Sequence, residues 1–315
     1  MLATTAFGVA GGTAIATCRS ALAQSSERPS DPAARGQRFG AGVYNTDQVA
    51  EELRYIEGTV QRSAAVGAKR ILITGSTAGV GQLAAAYLLR RGHLVVAHAR
   101  NAQRASEVVR DLPGIEAVVV GDLINLDETR DLAEQVKRLG TFDVIVHNAG
   151  EYGLPDAQII NANSVSPYLL TALVDAPREA IVYLSSSLHT GGDLKLDTLR
   201  SGGTNVNYND SKLHMATLAT AIARRRPGLR VNAVRPGWVA TLMGFHNGPH
   251  APDDLRAGYM TQVWLSEGAD PASDLTGRFL FHQQEERRVN PSVYDEAAQD
   301  ALLDAYAART GVELT

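Results

Sequence analysis

Residues 70–81 read RILITGSTAGVG, and residues 82–91, QLAAAYLLRR, keep apolar side chains at helical spacing. Arg70 to Thr74 is a short run of β-formers with a basic start, the pattern of a buried strand. Gly75, Gly79 and Gly81 then join that strand to the helix. A strand, a glycine turn and a helix in succession gather free backbone N–H groups and the positive end of a helix at one point, which suits a phosphate anion. Gly75 permits the sharp turn, Gly79 lets a ligand approach the backbone, and Gly81 lets helix pack closely on strand. The same glycines would also suit a loop with no ligand, so the assignment depends on the neighbouring sequence.

Outward from the turn, strands and helices alternate. His93–Ala99 (HLVVAHA) reads as a second strand, followed by the helical ASEVVRDL and a third strand, EAVVVGDL, ending in Asp122 and Leu123. A helix from about Asp127 to Leu139 leads to a fourth strand at 142–146, ending His147-Asn148-Ala149-Gly150. A fifth strand lies in REAIVYLSSSLH (178–189) and a sixth in LRVNAV (229–234). Strands separated by helices of this length predict right-handed crossovers and an α/β, doubly wound parallel sheet in three layers. The end of the second strand reaches the adenosine ribose in such a fold. Here Ala99 is followed by Arg100, with no acidic residue, which favours a 2′-phosphate and hence NADP over NAD. Asp122 and Leu123 are placed to meet the adenine edge, and Ala149 and Gly150 leave room for a flat ring. Ahead of the first strand, residues 46–63 predict a helix with Thr46 as N-cap.

With 315 residues and 44% hydrophobic content, the chain can bury one large core or two small ones. A net charge of −4 gives no pull toward nucleic acid or anionic membrane. The single cysteine, Cys18, excludes a disulfide framework and a cysteine-built metal site. No apolar run in the body of the chain is long enough for an integral membrane segment. Residues 1–23 are small and apolar and end in Ala21-Leu22-Ala23, the form of a signal cleavage site, but lack a basic start. They look like a twin-arginine export signal cut short at Met1. The expected compartment is the cytoplasm, where nicotinamide cofactors are recycled, with export as the alternative. Residues 24–40 read as a linker, so 1–40 is set apart and 41–315 is taken as one folded domain.

TGSTAGVG at 74–81 resembles the TGxxxGxG turn of the short-chain dehydrogenase/reductase family, single-domain branch. HNAG at 147–150 is similar to that family's NNAG, with His147 at a strand-end stabilising position. NSVSPYLLT (163–171), LSSSLH (184–189), YNDSK (208–212) and RPGWVAT (235–241) follow in family order. The tail from Asn290 is similar to the retinol-dehydrogenase-like group. The resemblance implies a Rossmann fold and an NADP(H)-dependent oxidoreductase interconverting an alcohol and a carbonyl. It implies cofactor contacts from Gly75, Ser76, Thr77, Gly79, Val80 and Gly81 in the turn, and from Arg100, Asn101, Asp122 and Leu123 at the adenosine end. Asn148, Ala149, Gly150, Tyr208, Lys212, Pro236, Gly237, Val239 and Thr241 complete the implied set. A homo-oligomer through the helices after the fourth and fifth strands is a further implication.

Tyr208 and Lys212 are four apart on a helical stretch, so they project from one face. A phenol with a reference pKa of about 10 is a poor base near neutrality; lowering it to about 7 takes roughly 4 kcal/mol of differential stabilisation. The Lys212 ammonium and an oxidised nicotinamide ring are the expected sources. Tyr208 then exchanges the proton of an alcohol or carbonyl as hydride moves. By resemblance, Ser186, selected over Ser185 and Ser187 by the V-S-S-x-x-H pattern, holds the substrate oxygen. Asn163, also by resemblance, sits in a helix break and holds a water linking Lys212 to solvent. The stretch 242–264 carries Leu242, Met243, Phe245, His246, Met260 and Trp264, which suggests a lipophilic small-molecule substrate, or equally a helix face packed on the sheet. His189 and His246 lack metal-ligand spacing, so no metal is assigned. Two other readings remain: a dinucleotide-binding regulator or scaffold without turnover, and the family's extended branch, whose TGxxGxxG turn this chain lacks.

Overall fold

The computed structural model describes residues 16–17, 44–63, 67–248 and 250–314. The Ala21–Ala23 cleavage-like site and the 24–40 linker lie outside the described residues. The central strand is β2 (Arg70–Ile73), flanked by β3 (Leu94–Ala99) and β4 (Ala117–Val120) on one side. On its other side run β5 (Val144–His147), β6 (Ala180–Leu184), β7 (Arg230–Arg235) and β8 (Phe279–Phe281). All these neighbours are parallel; β1 (Ala16–Thr17) and β9 (Gln284–Glu285) add short antiparallel edges on β4 and β8. Strand order reverses between β2 and β5, which opens a crevice beyond their carboxyl ends.

Strand side chains alternate between two helical layers. Ile71, Ile73, Val144 and Val146 face the layer holding α1 (Asp47–Thr59), α2 (Gly79–Arg91), α3 (Ala102–Asp111) and α9 (Leu255–Glu267). Leu72 and Ile145 face α4 (Leu126–Leu139) on the opposite side. Ile181, Tyr183 and Val231 face α6 (Ser166–Leu173), the short α7 (Leu196–Arg200), α8 (Tyr208–Arg225) and α10 (Glu296–Thr310). Thr46 caps α1 as read, its hydroxyl accepting from Val49 N at 3.2 Å.

The stretch 156–173 is one helical path broken in the middle. A short α5 (Asp156–Ile160) widens into a π-helical turn at Asn161–Val165 before α6 continues. Such turns displace side chains from helical register, and here the displaced segment carries Asn163.

The expectation of a homo-oligomer through α6 and α8 meets an obstacle in α10. The chain's own C-terminal segment packs along α8 and reaches α6 at Tyr168. Tyr306 stacks on Tyr168 with ring centres 4.5 Å apart, and the Tyr168 hydroxyl donates to the Val312 carbonyl at 2.7 Å. Ser164 bonds both Tyr306 Oη and His214 Nδ1 at 2.7 Å, tying α10 to the π turn and to α8. Every residue of α8 from Asp210 to Ile222 is buried within the one chain.

Candidate active site

The β2–α2 turn takes the conformation its glycines allow. Gly75 and Gly79 lie at φ +64° and +56°, where a side chain strains the backbone. A Cβ on Gly75 would stand 2.8 Å from Ala149 Cα, and one on Gly81 would overlap the Asn148 amide. The close approach of turn to β5 is what Asn148 exploits: its Nδ2 donates to the Thr74 and Gly75 carbonyls at 2.9 and 3.2 Å. Ala149 N donates to Thr74 Oγ1 at 3.0 Å. These contacts leave an open cradle lined by Gly75, Thr77, Gly79, Val80 and Gly81, which fits the phosphates of a dinucleotide.

Ser76 does not share that role through its side chain. Its hydroxyl donates inward to the Ile73 carbonyl and accepts from His98 N, both at 3.0 Å. His98, inside an apolar strand, was invisible as a site residue. It is buried and held neutral: Nδ1 accepts from Gly75 N at 3.0 Å and Nε2 donates to the Gly121 carbonyl at 2.8 Å. Burial pulls its pKa below the ordinary histidine value.

At the end of the cleft beyond β3 and β4, Arg100, Asp122 and Leu123 line the wall, whereas Asn101 caps α3, accepting from Arg104 N. Arg100 is answered by Glu151, Nη1 to Oε1 at 3.7 Å. Burial raises the Glu151 carboxyl above the usual range; Arg100 opposes that shift and Asp122 adds to it. Tyr44, Arg104 and Glu151 also line this end, and sequence reading missed all three.

Across the cleft stand Tyr208 and Lys212. Asn207 and Asp210 form a capping box that starts α8 at Tyr208, so Lys212 follows one turn later. Lys212 is buried, its Nζ 5.4 Å from the Tyr208 ring centre and donating to the Leu184 carbonyl at 3.1 Å. Room for it comes from Gly150, whose Cβ would stand 3.0 Å from Nζ. Burial brings the Lys212 ammonium down to about 8. The Tyr208 phenol departs from expectation: burial pushes it up to about 12, a hydrogen bond from Ser186 opposes the shift, and Tyr152 adds to it. The phenol is thus not a ready base in the protein alone.

The serine cluster divides three ways. Ser185 is buried, lines the cleft and donates to the Lys212 carbonyl at 2.7 Å; Ser186 lies beside the Tyr208 phenol without lining the cleft and accepts from Leu188 N at 3.2 Å; Ser187 is exposed. Asn163 lies just behind: Oδ1 accepts from Glu151 N at 2.7 Å, while Nδ2 donates to the Glu151 carbonyl and to Ser211 Oγ at 2.8 and 3.2 Å. His147 is a core residue, stacked on Tyr183 and bonded to Thr171, its imidazole held down at about 3 by burial.

After β7, Pro236 and Thr241 line the cleft, but Gly237 and Val239 do not. Gly237 lies against Asp253, which accepts from Trp238 N at 2.6 Å, and Val239 is buried beside Gly258. Leu242, Met243 and His246 line the cleft near Tyr208; Met260 and Trp264 instead pack on the core, because α9 lies beside α2 against β5, β6 and β7. Tyr152 closes this end, its ring edge-on to Tyr208 at 4.8 Å and to His246 at 5.2 Å, with Asn247 donating to its hydroxyl at 2.8 Å. Among the described residues no cluster of three or more His, Cys, Asp or Glu could hold a metal ion, and no helix is long and apolar enough to cross a membrane.

Residues 69–189 match the family model for short chain dehydrogenase. The chain is 39% identical over 245 residues to an uncharacterized oxidoreductase of Emericella nidulans, covering 74% of this chain and 94% of that one. It is 38% identical over 261 residues to the short-chain dehydrogenase chyC of Penicillium rubens, covering 78% and 98%. With human retinol dehydrogenase 13 the identity is 28% over 294 residues, covering 85% and 86%. Among solved structures, an uncharacterized protein from Mycobacterium paratuberculosis shares the fold with TM-score 0.64 at 23% identity, over 82% of this chain and all of that one. A Shigella flexneri short chain dehydrogenase solved with NADP gives TM-score 0.54 at 23% identity, over 70% of this chain and 99% of that one.

Proposed function

The chain belongs to the short-chain dehydrogenase/reductase family, and on that premise we propose that it is an NADP(H)-dependent oxidoreductase interconverting an alcohol and a carbonyl on a small molecule. The observation that carries the proposal is the meeting of Tyr208 and Lys212 in the cleft beyond the glycine cradle, with Ser186 beside the Tyr208 phenol. A bound nicotinamide supplies hydride transfer. The protein's part is proton transfer and positioning.

Ser186 and Tyr208 share the substrate oxygen between their hydroxyls, which fixes the reacting carbon against the cleft wall. Tyr208 donates its proton as a carbonyl is reduced and accepts it as an alcohol is oxidised. Lys212 steadies the phenolate that forms, and its own burial makes that assistance strong. Asn163 fixes the 150–152 segment against Ser211, so Gly150 keeps the gap through which Lys212 reaches the site, and it stands on the path by which the Lys212 proton would exchange with solvent. Arg100 is the cation for a 2′-phosphate, the feature behind the choice of NADP over NAD. Leu242 and Met243 supply an apolar wall while Tyr152 and His246 supply aromatic edges, which suits a lipophilic substrate carrying a flat or unsaturated group near the carbonyl.

The test is a panel of aldehydes, ketones and alcohols run with NADPH/NADP and NADH/NAD. Turnover with NADPH or NADP, lost by 10²-fold or more in Tyr208→Phe at unchanged cofactor affinity, is the expected result, in line with about 10²–10⁴ for general acid–base catalysis. A Tyr208→Phe protein as active as the parent would leave a dinucleotide-binding protein without this chemistry.

A further inference from the structure

The chain leading into α1, the helix ahead of β2, touches the glycine turn. Ala78, the residue before α2, offers no side-chain cap. The missing acceptor comes from Asn45, whose Oδ1 takes the Gly79 N–H at 2.9 Å. The Asn45 amide is itself fixed, Nδ2 donating to Gln82 Oε1 at 2.6 Å on the first turn of α2. One residue earlier, the Tyr44 ring lies 3.4 Å from the Arg104 guanidinium carbon, measured to the ring centre. Arg104 is buried, pairs with Glu107, and donates from Nη2 to the Thr77 carbonyl at 2.7 Å. One residue later, Thr46 Oγ1 donates to the Ala240 carbonyl at 2.7 Å, next to Thr241, whose methyl would meet a Cβ on Gly79 at 3.3 Å.

Three consecutive residues thus hold the turn from outside at Thr77, at Gly79 and at the loop that backs it. Tyr44 and Arg104 also form part of the cleft wall at its adenosine end. Glycine turns are conformationally permissive, so their ordering entropy must be met by contacts or be lost on ligand binding. We propose that Tyr44, Asn45 and Thr46 are a strap of the dinucleotide site, positioning residues that pre-order the glycine turn so that cofactor affinity depends on them. The inference rests on the dinucleotide reading given above. The ligand it concerns is the phosphorylated adenosine half of that cofactor.

The test titrates NADPH by calorimetry into the parent protein and into Asn45→Ala, Tyr44→Ala and Tyr44→Phe, with cofactor-free melting recorded for each. Asn45→Ala and Tyr44→Ala are expected to weaken NADPH by about tenfold, the scale of one net hydrogen bond or cation–π contact. Tyr44→Phe keeps the ring and is expected to bind as the parent does. Folded Asn45→Ala and Tyr44→Ala proteins that bind NADPH like the parent overturn the strap. Hydrogen exchange on the unaltered, cofactor-free protein decides the matter if the variants do not fold. Gly79 N–H protected at least about tenfold before cofactor is added supports the strap, and exchange at the rate of a free amide refutes it. A parent protein that binds neither NADPH nor NADH would sink the dinucleotide reading itself, and the exchange rate of Gly79 N–H would then still decide whether Asn45 orders the turn.

Discussion

Lys212 Nζ stands 5.4 Å from the centre of the Tyr208 ring, yet the phenol is pushed up to about 12 while the ammonium is brought down to about 8. Burial drives both groups toward neutrality, and it outweighs their mutual help in the protein alone. On the proposed function, a bound nicotinamide ring in its positive state would complete the change in Tyr208. Binding that lowers a phenol's pKa releases a proton wherever the pH lies below the old value and above the new one. NADP is expected to bind with proton release at pH 8–9, measured by calorimetry in buffers of different ionisation enthalpy, and NADPH without it. In Tyr208→Phe that release should disappear; equal release from both proteins would assign it elsewhere.

The same burial gives Lys212 a cost that can be measured. Its pKa falls from 10.5 to about 8 on folding, so the ammonium opposes the folded state below pH 8, and the penalty fades as pH rises from 8 to 10.5. At about 1.36 kcal/mol per unit the penalty is at most about 3 kcal/mol. The hydrogen bond to the Leu184 carbonyl, lost on substitution, reduces the net gain. Lys212→Met should melt higher than the parent at pH 7 while losing activity, and the difference in melting temperature should narrow by pH 10.5. A variant less stable at pH 7 would show that the ammonium is better accommodated than its burial implies.

Arg100 enters the cofactor question already paired. Glu151 lies 3.7 Å away and would compete with a 2′-phosphate for it, the more so because Asp122 adds negative charge nearby. Arg100→Ala is expected to raise the NADPH dissociation constant by about 10- to 100-fold, the range of a charge-assisted hydrogen bond, and to leave NADH nearly unchanged. Glu151→Gln should tighten NADPH a few-fold. Parallel losses for NADH and NADPH in Arg100→Ala would remove the basis for choosing NADP.

Much of this site was legible because its parts are local. The glycine turn and the Tyr208/Lys212 pair each sit within a few residues of a strand or helix end, so spacing brings their parts together, whereas Ser186 was chosen over its neighbours by resemblance. What the sequence hid was long-range. His98 lies in an apolar run that reads only as a strand, and its ring bonds Gly75, 23 residues earlier. Asn45 reaches Gly79 across 34 residues, and Arg104 reads as a charge on an ordinary surface helix until Tyr44 covers it. For Met260 and Trp264 the sequence leaves two readings open for a related reason. Hydropathy cannot distinguish a wall over the substrate from a face on the sheet, and α9 chose the sheet.

The packing at Gly81 yields a sharper structural test. A methyl there would overlap the Asn148 amide and stand 2.5 Å from the Gly75 carbonyl oxygen, so either the turn or β5 must shift. Overpacking of this kind costs about 1–3 kcal/mol, and here the movement falls on the cradle itself. Gly81→Ala should lower the melting temperature and weaken NADPH by more than tenfold. Gly311→Ala is a fair control, since it also strains its backbone, at φ +67°, but lies at the C-cap of α10. It should cost stability and leave cofactor affinity intact.

The arrangement of α10 makes a prediction about assembly. Tyr306 and Val312 occupy the ground on α6 that a second subunit would need, and Arg224 and Arg225 at the end of α8 pair with Asp300 of α10. Displacing α10 would expose Leu302, Leu303, Ala305 and Tyr306 together with the apolar side of α8 that they cover. Several buried side chains at about 1.5–3 kcal/mol each outweigh what a loosely fitted second copy could return. Light scattering on the purified chain should give the mass of one copy, 33.6 kDa. A dimer whose formation protects amides of α6 and α8 from exchange would mean that α10 leaves its seat. Charge reversal at Asp300 supplies the complementary check. Asp300→Lys puts three cations at one helix end, so it should loosen α10 and lower the melting temperature without touching the cleft.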